Sequence, residues 1–253
     1  LKTLVSKRYD RRRRLKEYIG SKKPVAAMPS YEQEISRVTR SRSEAQANYD
    51  RISRWYDLFE GIWERNARNI GLEKLAVREG ETVLEIGFGT GHGIASLARS
   101  VGKSGKVYGI DLSPRMLELT SAKIARMGLS PRVVLKCGDA LELFYEEKFF
   151  DAVFISFALE LFDTPEIPRL LGKCFLVLRN GGRICVVSIS KEGTSKPMRN
   201  IYEFGHQKLP RLLDCRPIFV RKSLGQTGFE ILDSARMSIL GLPVEIVLAR
   251  KPS

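Results

Sequence analysis

The chain has 253 residues, 43% of them hydrophobic, which suits one sizeable domain with a full core and some additions. No apolar run reaches the length of a membrane span, and the four cysteines (Cys137, Cys174, Cys185, Cys215) are widely spaced with no CxxC pair, which argues against a transmembrane helix, a disulfide framework or a zinc site. The formal charge of +14 is uneven: residues 1–54 carry 15 Lys/Arg against 6 Asp/Glu, and before residue 24 ten basic side chains face two acidic ones.

Residues 1–30 are read as a basic extension, with the run Arg11 to Arg14, a helical stretch near 10–19 and a Pro-containing end from Lys22 to Ser30. A solvated tail accounts for it; the sharper readings for residues 1–23 are an arm for RNA or an acidic membrane surface, or the remnant of an organelle-targeting segment. Met28 would serve as a start on its own. Thiols read as small buried hydrophobes in a reducing compartment favour the cytoplasm, with an organelle matrix as the alternative.

Residues 31–79 read as a helical entry segment. Tyr49, Ile52, Tyr56 and Phe59 fall on one helix face, with Trp55 and Trp63 nearby. Such aromatics suit a core, and also a lid over the mouth of the domain that follows.

That domain, 80–253, opens with the stretch on which the rest is organised. Val83, Leu84 and Ile86 make a short buried-strand run, interrupted by Glu85, and Gly87, Gly89 and Gly91 follow at alternating positions. Ile94, Leu97, Ala98 and Val101 then recur at helical spacing. A glycine loop between strand and helix lets backbone N–H groups approach a ligand.

The units repeat. Lys106–Asp111 reads as the second strand, and Ser113-Pro114 as an N-cap and first helical position for a helix ended by Gly128. Arg132–Cys137, Asp151–Phe157 and Arg183–Ile189 read as strands, a helix spans 166–178, and Asn180-Gly181-Gly182 signals a turn. Residues 191–217 read as an insertion with a helix near 199–209, followed by a helix over 218–226 closed by Gly228. Phe229–Leu240 and Val244–Arg250 are separated by only three residues, too few for a parallel crossover, so they should form an antiparallel hairpin.

Three carboxylates stand at successive strand ends, where open α/β sheets bind ligands: Glu85, Asp111 and Asp139. Asp111 lies at the spacing of a carboxylate that accepts both ribose hydroxyls, and Asp139 suits an adenine amino group. Each also suits a turn or helix cap, but three together favour a nucleotide-like ligand. A dinucleotide fingerprint would need glycine at His92, whose side chain would crowd the packing of helix on strand.

These residues resemble the class I S-adenosylmethionine-dependent methyltransferases. The resemblance lies in Glu85-Ile-Gly-Phe-Gly-Thr-Gly91, Gly109-Ile-Asp111-Leu-Ser113, Gly138-Asp139-Ala140, Phe150 to Ser156 and Leu178 to Arg183. Within that superfamily, Tyr49 to Asp57 is similar to the helix before the domain in the ubiquinone/menaquinone C-methyltransferase group, and 201–210 to that group's insertion. Ser188 departs from the group, which has glutamate there. The resemblance implies an α/β, Rossmann-like sheet of seven strands, order 3-2-1-4-5-7-6 with strand 7 antiparallel. It implies S-adenosyl-L-methionine as cofactor, with Gly87, Gly89 and Gly91 at the methionine part, Asp111 at the ribose, Asp139 and Ala140 at the adenine. Glu85, Leu112, Tyr56 and Ser156 are the further cofactor-binding candidates, Ser156 and Phe157 facing the methyl and acceptor side.

In-line methyl transfer needs no enzyme nucleophile; it needs positioning, exclusion of water and, for some acceptors, a base. His206, in the insertion, is the candidate base, though a solvent-facing loop histidine accounts for it as well. Tyr202, Tyr56 and Tyr49 are alternatives for orienting the acceptor, and no metal-binding cluster is visible. The expected acceptor is a small, apolar or aromatic molecule; the alternative is a methyltransferase-like protein docked on RNA or a ribonucleoprotein through its basic tail.

Overall fold

A computed structural model describes residues 62–192, 216–239 and 242–253. The first described helix, α1 (Ile62–Leu75), leads into β1 (Thr82–Ile86), α2 (His92–Ser100), β2 (Lys106–Asp111), α3 (Pro114–Arg126) and β3 (Val133–Cys137). Then come β4 (Phe150–Ser156), α4 (Glu166–Val177), β5 (Leu178–Ile189), α5 (Val220–Thr227), β6 (Glu230–Ile239) and β7 (Leu242–Arg250). The basic extension, most of the entry segment with its Tyr49–Phe59 face, and the core of the insertion (193–215) lie outside the described residues.

The seven described strands form one sheet in the order β3-β2-β1-β4-β5-β7-β6. β1 to β5 pair in parallel, whereas β7 pairs antiparallel with both β5 and β6, as the short β6–β7 connection requires. The apolar runs read as covered strands are so: Val83, Leu84 and Ile86 in β1 and Ala152 to Ile155 in β4 are all at most 1% exposed. α2 buries Gly93, Ile94, Ala95, Leu97 and Ala98, the face its spacing predicts. In α3 the Ser113 hydroxyl accepts from the Met116 N–H at 3.1 Å, Pro114 stands in the first turn, and Gly128 follows the helix at φ 66°.

Two expectations are corrected. Asn180-Gly181-Gly182 does not break the chain between α4 and β5; it lies inside β5 as an irregularity, where the pairing to β4 steps from Phe150↔Leu178 to Ala152↔Arg183. The excess residues bend towards the segment after β7: the Gly181 N–H donates to the Lys251 carbonyl at 3.0 Å and the Lys251 N–H to the Gly182 carbonyl at 2.8 Å. Buried Lys251 adds Nζ bonds to the Phe175 and Leu178 carbonyls at 2.7 and 2.8 Å. Secondly, the helix expected from Ile218 begins at Val220, because Ile218 bridges in parallel to Ser190 at the end of β5.

At the opposite end of the sheet, Arg183 clamps α1 to the approach of β1. Its guanidinium forks onto Glu81 (2.9 and 2.8 Å) and donates to the Ala76 carbonyl at 2.8 Å and to that of Leu75. Burial works against the Glu81 carboxylate, yet this pairing together with the Arg78 N–H keeps its pKa below the usual value.

Candidate functional site

The loop between β1 and α2 carries Gly87, Gly89 and Gly91 at φ 72°, 49° and 81°, a left-handed region open to glycine and costly for other residues. Its surroundings divide the three by role. A Cβ on Gly87 would sit 2.4 Å from that of Ala158, and one on Gly91 would meet Thr120 Cγ2 at 2.6 Å, so both are packed against protein. A Cβ on Gly89 would meet none of the described residues within 4 Å, so none of them packs on the loop tip. Phe88, between them, is 3% exposed and packs at Gly109 of β2.

Gly89 is held from both sides. Its N–H donates to Asp111 Oδ2 at 2.8 Å, and its carbonyl accepts from the Thr120 hydroxyl at 2.7 Å. The other Asp111 oxygen accepts from the Ser113 N–H at 3.0 Å. Asp111 therefore sets the loop and starts α3 from the carboxyl end of β2. Leu112, next to it, is half-buried, and its carbonyl accepts from the Cys137 thiol at 3.5 Å. At the end of β3, Asp139 Oδ1 accepts from the Leu141 N–H at 2.9 Å and opens a single turn over Ala140–Glu142, in which Ala140 is buried.

Glu85 is 2% exposed and lies beneath the first turn of α2. A Cβ on Gly93 would lie 2.1 Å from its Oε1, so Gly93 leaves room for a carboxylate against the first turn of the helix, where negative charge is favoured. His92, by contrast, is exposed, with Nε2 3.1 Å from Lys123 Nζ. The crowding expected at His92 is thus corrected: the close approach of helix to strand falls one residue later.

β4 ends on the other side of the loop. Ser156 is half-buried, with its Oγ out of water and no hydrogen-bond partner. Phe157 takes φ 50°, and Ala158 packs on Gly87. Glu160 follows in a single turn, Leu159–Leu161, and is fully buried. Its Oε1 lies 3.4 Å from the Ile189 N–H at the end of β5, and its Oε2 has no partner. Burial pushes the carboxyl up to about 7, with Glu64 of α1 adding to the rise and hydrogen bonds at Ser188 and Ile189 opposing it.

The structure thus brings together Glu85, Gly87, Gly89, Gly91, Asp111, Leu112, Asp139, Ala140 and Ser156 at the carboxyl ends of β1 to β4. Tyr56, Tyr202 and His206 lie outside the described residues. Sequence reasoning missed Thr120 and Glu160. Thr120 was readable as a polar residue at the i+4 position between Met116 and Ile124 on the apolar face of α3; nothing local marked Glu160. Burial pushes the Cys174 and Cys185 thiols up to about 12, which keeps both unreactive. Among the described residues, no group of three His, Cys, Asp or Glu is placed to hold a metal ion.

A family described as a methyltransferase domain matches residues 83–182. The demethylmenaquinone methyltransferase of Lactobacillus johnsonii is 30% identical over 168 residues, which are 65% of this chain and 66% of that protein. The enzyme of the same name from Lactococcus lactis subsp. lactis is 32% identical over 177 residues, 68% of this chain and 66% of its own length. Across the curated relatives first matched, the chain spans between 49% and 66% of their length. In fold, the chain is similar to the Burkholderia thailandensis 1,6-didemethyltoxoflavin-N1-methyltransferase, with a TM-score of 0.61, 19% identity and coverage of 87% of this chain and 95% of that one. The chain belongs to the class I S-adenosylmethionine-dependent methyltransferases. Within them it lies near the ubiquinone/menaquinone C-methyltransferase group.

Proposed function

We propose that this protein transfers a methyl group from S-adenosyl-L-methionine to a small, apolar or aromatic acceptor. The observation that carries the reading is the glycine loop, whose tip at Gly89, on which no described residue packs, is fixed between Asp111 and Thr120. A loop held this way presents a cofactor with backbone already in place and no side chain in the way. When bound, the cofactor supplies an electrophilic methyl group. Asp111 and Asp139 would hold its ribose and adenine from the ends of β2 and β3. The loop would hold its amino-acid part, and Glu85 would keep α2 in place behind the loop. Ser156 and Phe157 would border the methyl from the end of β4.

The demethylmenaquinone named in the relatives makes a naphthoquinol the acceptor class to try first. His206, Tyr202 and Tyr56 stay candidates for the acceptor site. S-adenosylhomocysteine binding by calorimetry tests the reading: the wild-type chain should bind, and Asp111→Ala should bind at least about tenfold more weakly, the loss of a charged hydrogen bond. Equal affinity in the variant would remove Asp111 from the site. A second reading rests on the ten basic side chains before residue 24: contact with RNA or an acidic membrane, the catalytic domain being carried alongside. Salt-sensitive RNA binding that disappears on removing residues 1–30 would support it, and binding that survives the truncation would count against it.

A further inference from the structure

In a sheet of this order the chain moves outward from β1 in two directions, to β2 and β3 on one side and to β4 and β5 on the other. The switch between β1 and β4 is where open α/β sheets take their ligands. Asp111 and Asp139 occupy the β2 and β3 side. The ends of β4 and β5 are therefore the side from which a second molecule meets the methyl group, and Ala158 on Gly87 places the segment after β4 directly against the loop.

Two polar atoms in that segment lack partners. Glu160 is 0% exposed; hydrogen bonds at Ser188 and at the Ile189 N–H, the latter 3.4 Å from Oε1, favour its charged form, and Oε2 has no partner. Ser156 Oγ, four residues earlier, is out of water and also lacks a partner. Ser188, opposite on β5, is 0% exposed and turns its hydroxyl to the Ile189 carbonyl at 3.3 Å. A carboxyl buried with an unmet oxygen costs stability unless a ligand completes it. No basic side chain among the described residues pairs with Glu160, and the other charge that acts on it, Glu64 of α1, is of the same sign. Glu160 Oε2 lacks a hydrogen-bond donor, and Ser156 Oγ, which can donate or accept, lacks any partner.

We propose that Glu160 receives the hydroxyl or amine proton of the methyl acceptor, with Ser156 Oγ as a second hydrogen-bonding contact. This rests on the methyl-transfer reading of the same crevice. In the step, a lone pair of the acceptor forms the new bond to the methyl carbon while the C–S electron pair stays on sulfur. The acceptor's proton passes to the Glu160 carboxylate, which returns it to water when the product leaves. A carboxyl that burial and Glu64 hold near neutrality suits this work, because it is ionised in a useful fraction yet basic enough to take a proton. His92, a histidine among the described residues, is exposed and set against Lys123.

The test uses the full chain loaded with S-adenosylhomocysteine and two ligands: naphthalene-1,4-diol, and 1,4-dimethoxynaphthalene, which has no proton to give. The wild type should bind the diol at least about tenfold more tightly than the dimethyl ether, and Glu160→Gln should bring the ratio near one. The variant's affinity for S-adenosylhomocysteine should stay within roughly twofold, which also shows that it folds. With labelled S-adenosylmethionine, methylation of the diol should fall at least about 100-fold in Glu160→Gln, and the wild-type rise in rate through about pH 7 should vanish. Equal binding of the two ligands by the wild type, or a preference or pH dependence that survives in Glu160→Gln, would overturn the proposal. Failure of the wild type to bind S-adenosylhomocysteine would instead overturn the methyl-transfer reading beneath it.

Discussion

Thr120 contributes one hydroxyl to the site, and that hydroxyl is the only side-chain contact described for the Gly89 carbonyl. Thr120→Val keeps the shape that packs on Gly91 and removes the bond. Affinity for S-adenosylhomocysteine should drop roughly tenfold, the worth of a hydrogen bond whose loss leaves a partner unmet; Thr120→Ser should restore most of it. Calorimetry on the two variants decides the point, and equal affinities in valine and serine forms would discount the latch. Gly93→Ala should cost about 2 kcal/mol in urea denaturation, because the new methyl group meets the Glu85 carboxylate. The cost should shrink in a Glu85→Ala background, and undiminished loss there would show that the two positions do not compete for space. At this scale Asp111 and Asp139 were legible because a strand end names its own position. Glu160 was not, because glutamate between two leucines reads as a surface residue until the end of β5 is placed beside it.

Among the elements, β1 and β4 were legible because strands covered on both faces are largely apolar, and β2 because it ends in Asp111 just before the Ser113-Pro114 helix start. β5 was legible only in its second half. Its bulge is made by bonds from Gly181 and Gly182 to Lys251, about 70 positions further along the chain, and a turn signal cannot report such a partner. The Arg183 clamp is equally non-local. Arg183→Ala should lower stability by roughly 2–3 kcal/mol, since it strips the Leu75 carbonyl at the end of α1, the Ala76 carbonyl after it and Glu81 of a charged donor. Arg183→Lys should recover only part, because an ammonium cannot fork across a carboxylate. Full recovery by lysine in urea denaturation would mean that charge alone is what α1 requires.

For the molecule as a whole, the buried carboxyls set an unusual slope of stability with pH. Glu160 and Glu245 are both raised by burial, Glu245 also by Glu192 and held back by Arg236. A carboxyl whose folded pKa exceeds its unfolded value keeps its proton longer in the native state. Between the unfolded value of 4.5 and about 7, the folded chain therefore binds more protons at Glu160, and stability falls as pH rises through that window. Glu160→Gln should flatten the fall and be more stable than the wild type at pH 8 by about 3 kcal/mol, while the two converge near pH 4.5. A variant no more stable than the wild type at pH 8 would show that the carboxyl is not strained by its burial. The fold class was legible throughout from the order of units, but the acceptor was not, because the residues expected to roof it lie outside the described ones.

The position of β7 between β5 and β6 governs how the chain is made as well as how it stands. Of the seven strands it leaves the ribosome last, yet it fills an interior place in the sheet. Until Leu242–Arg250 has emerged, β5 has a bare edge, β6 has no neighbour, and Lys251 cannot tie Gly181 and Gly182. The nascent chain thus waits with a long apolar strand uncovered, a state prone to pairing with other chains. Slow or interrupted synthesis near residue 240 should yield insoluble product, whereas changes in the exposed positions of β6 should be borne far more easily.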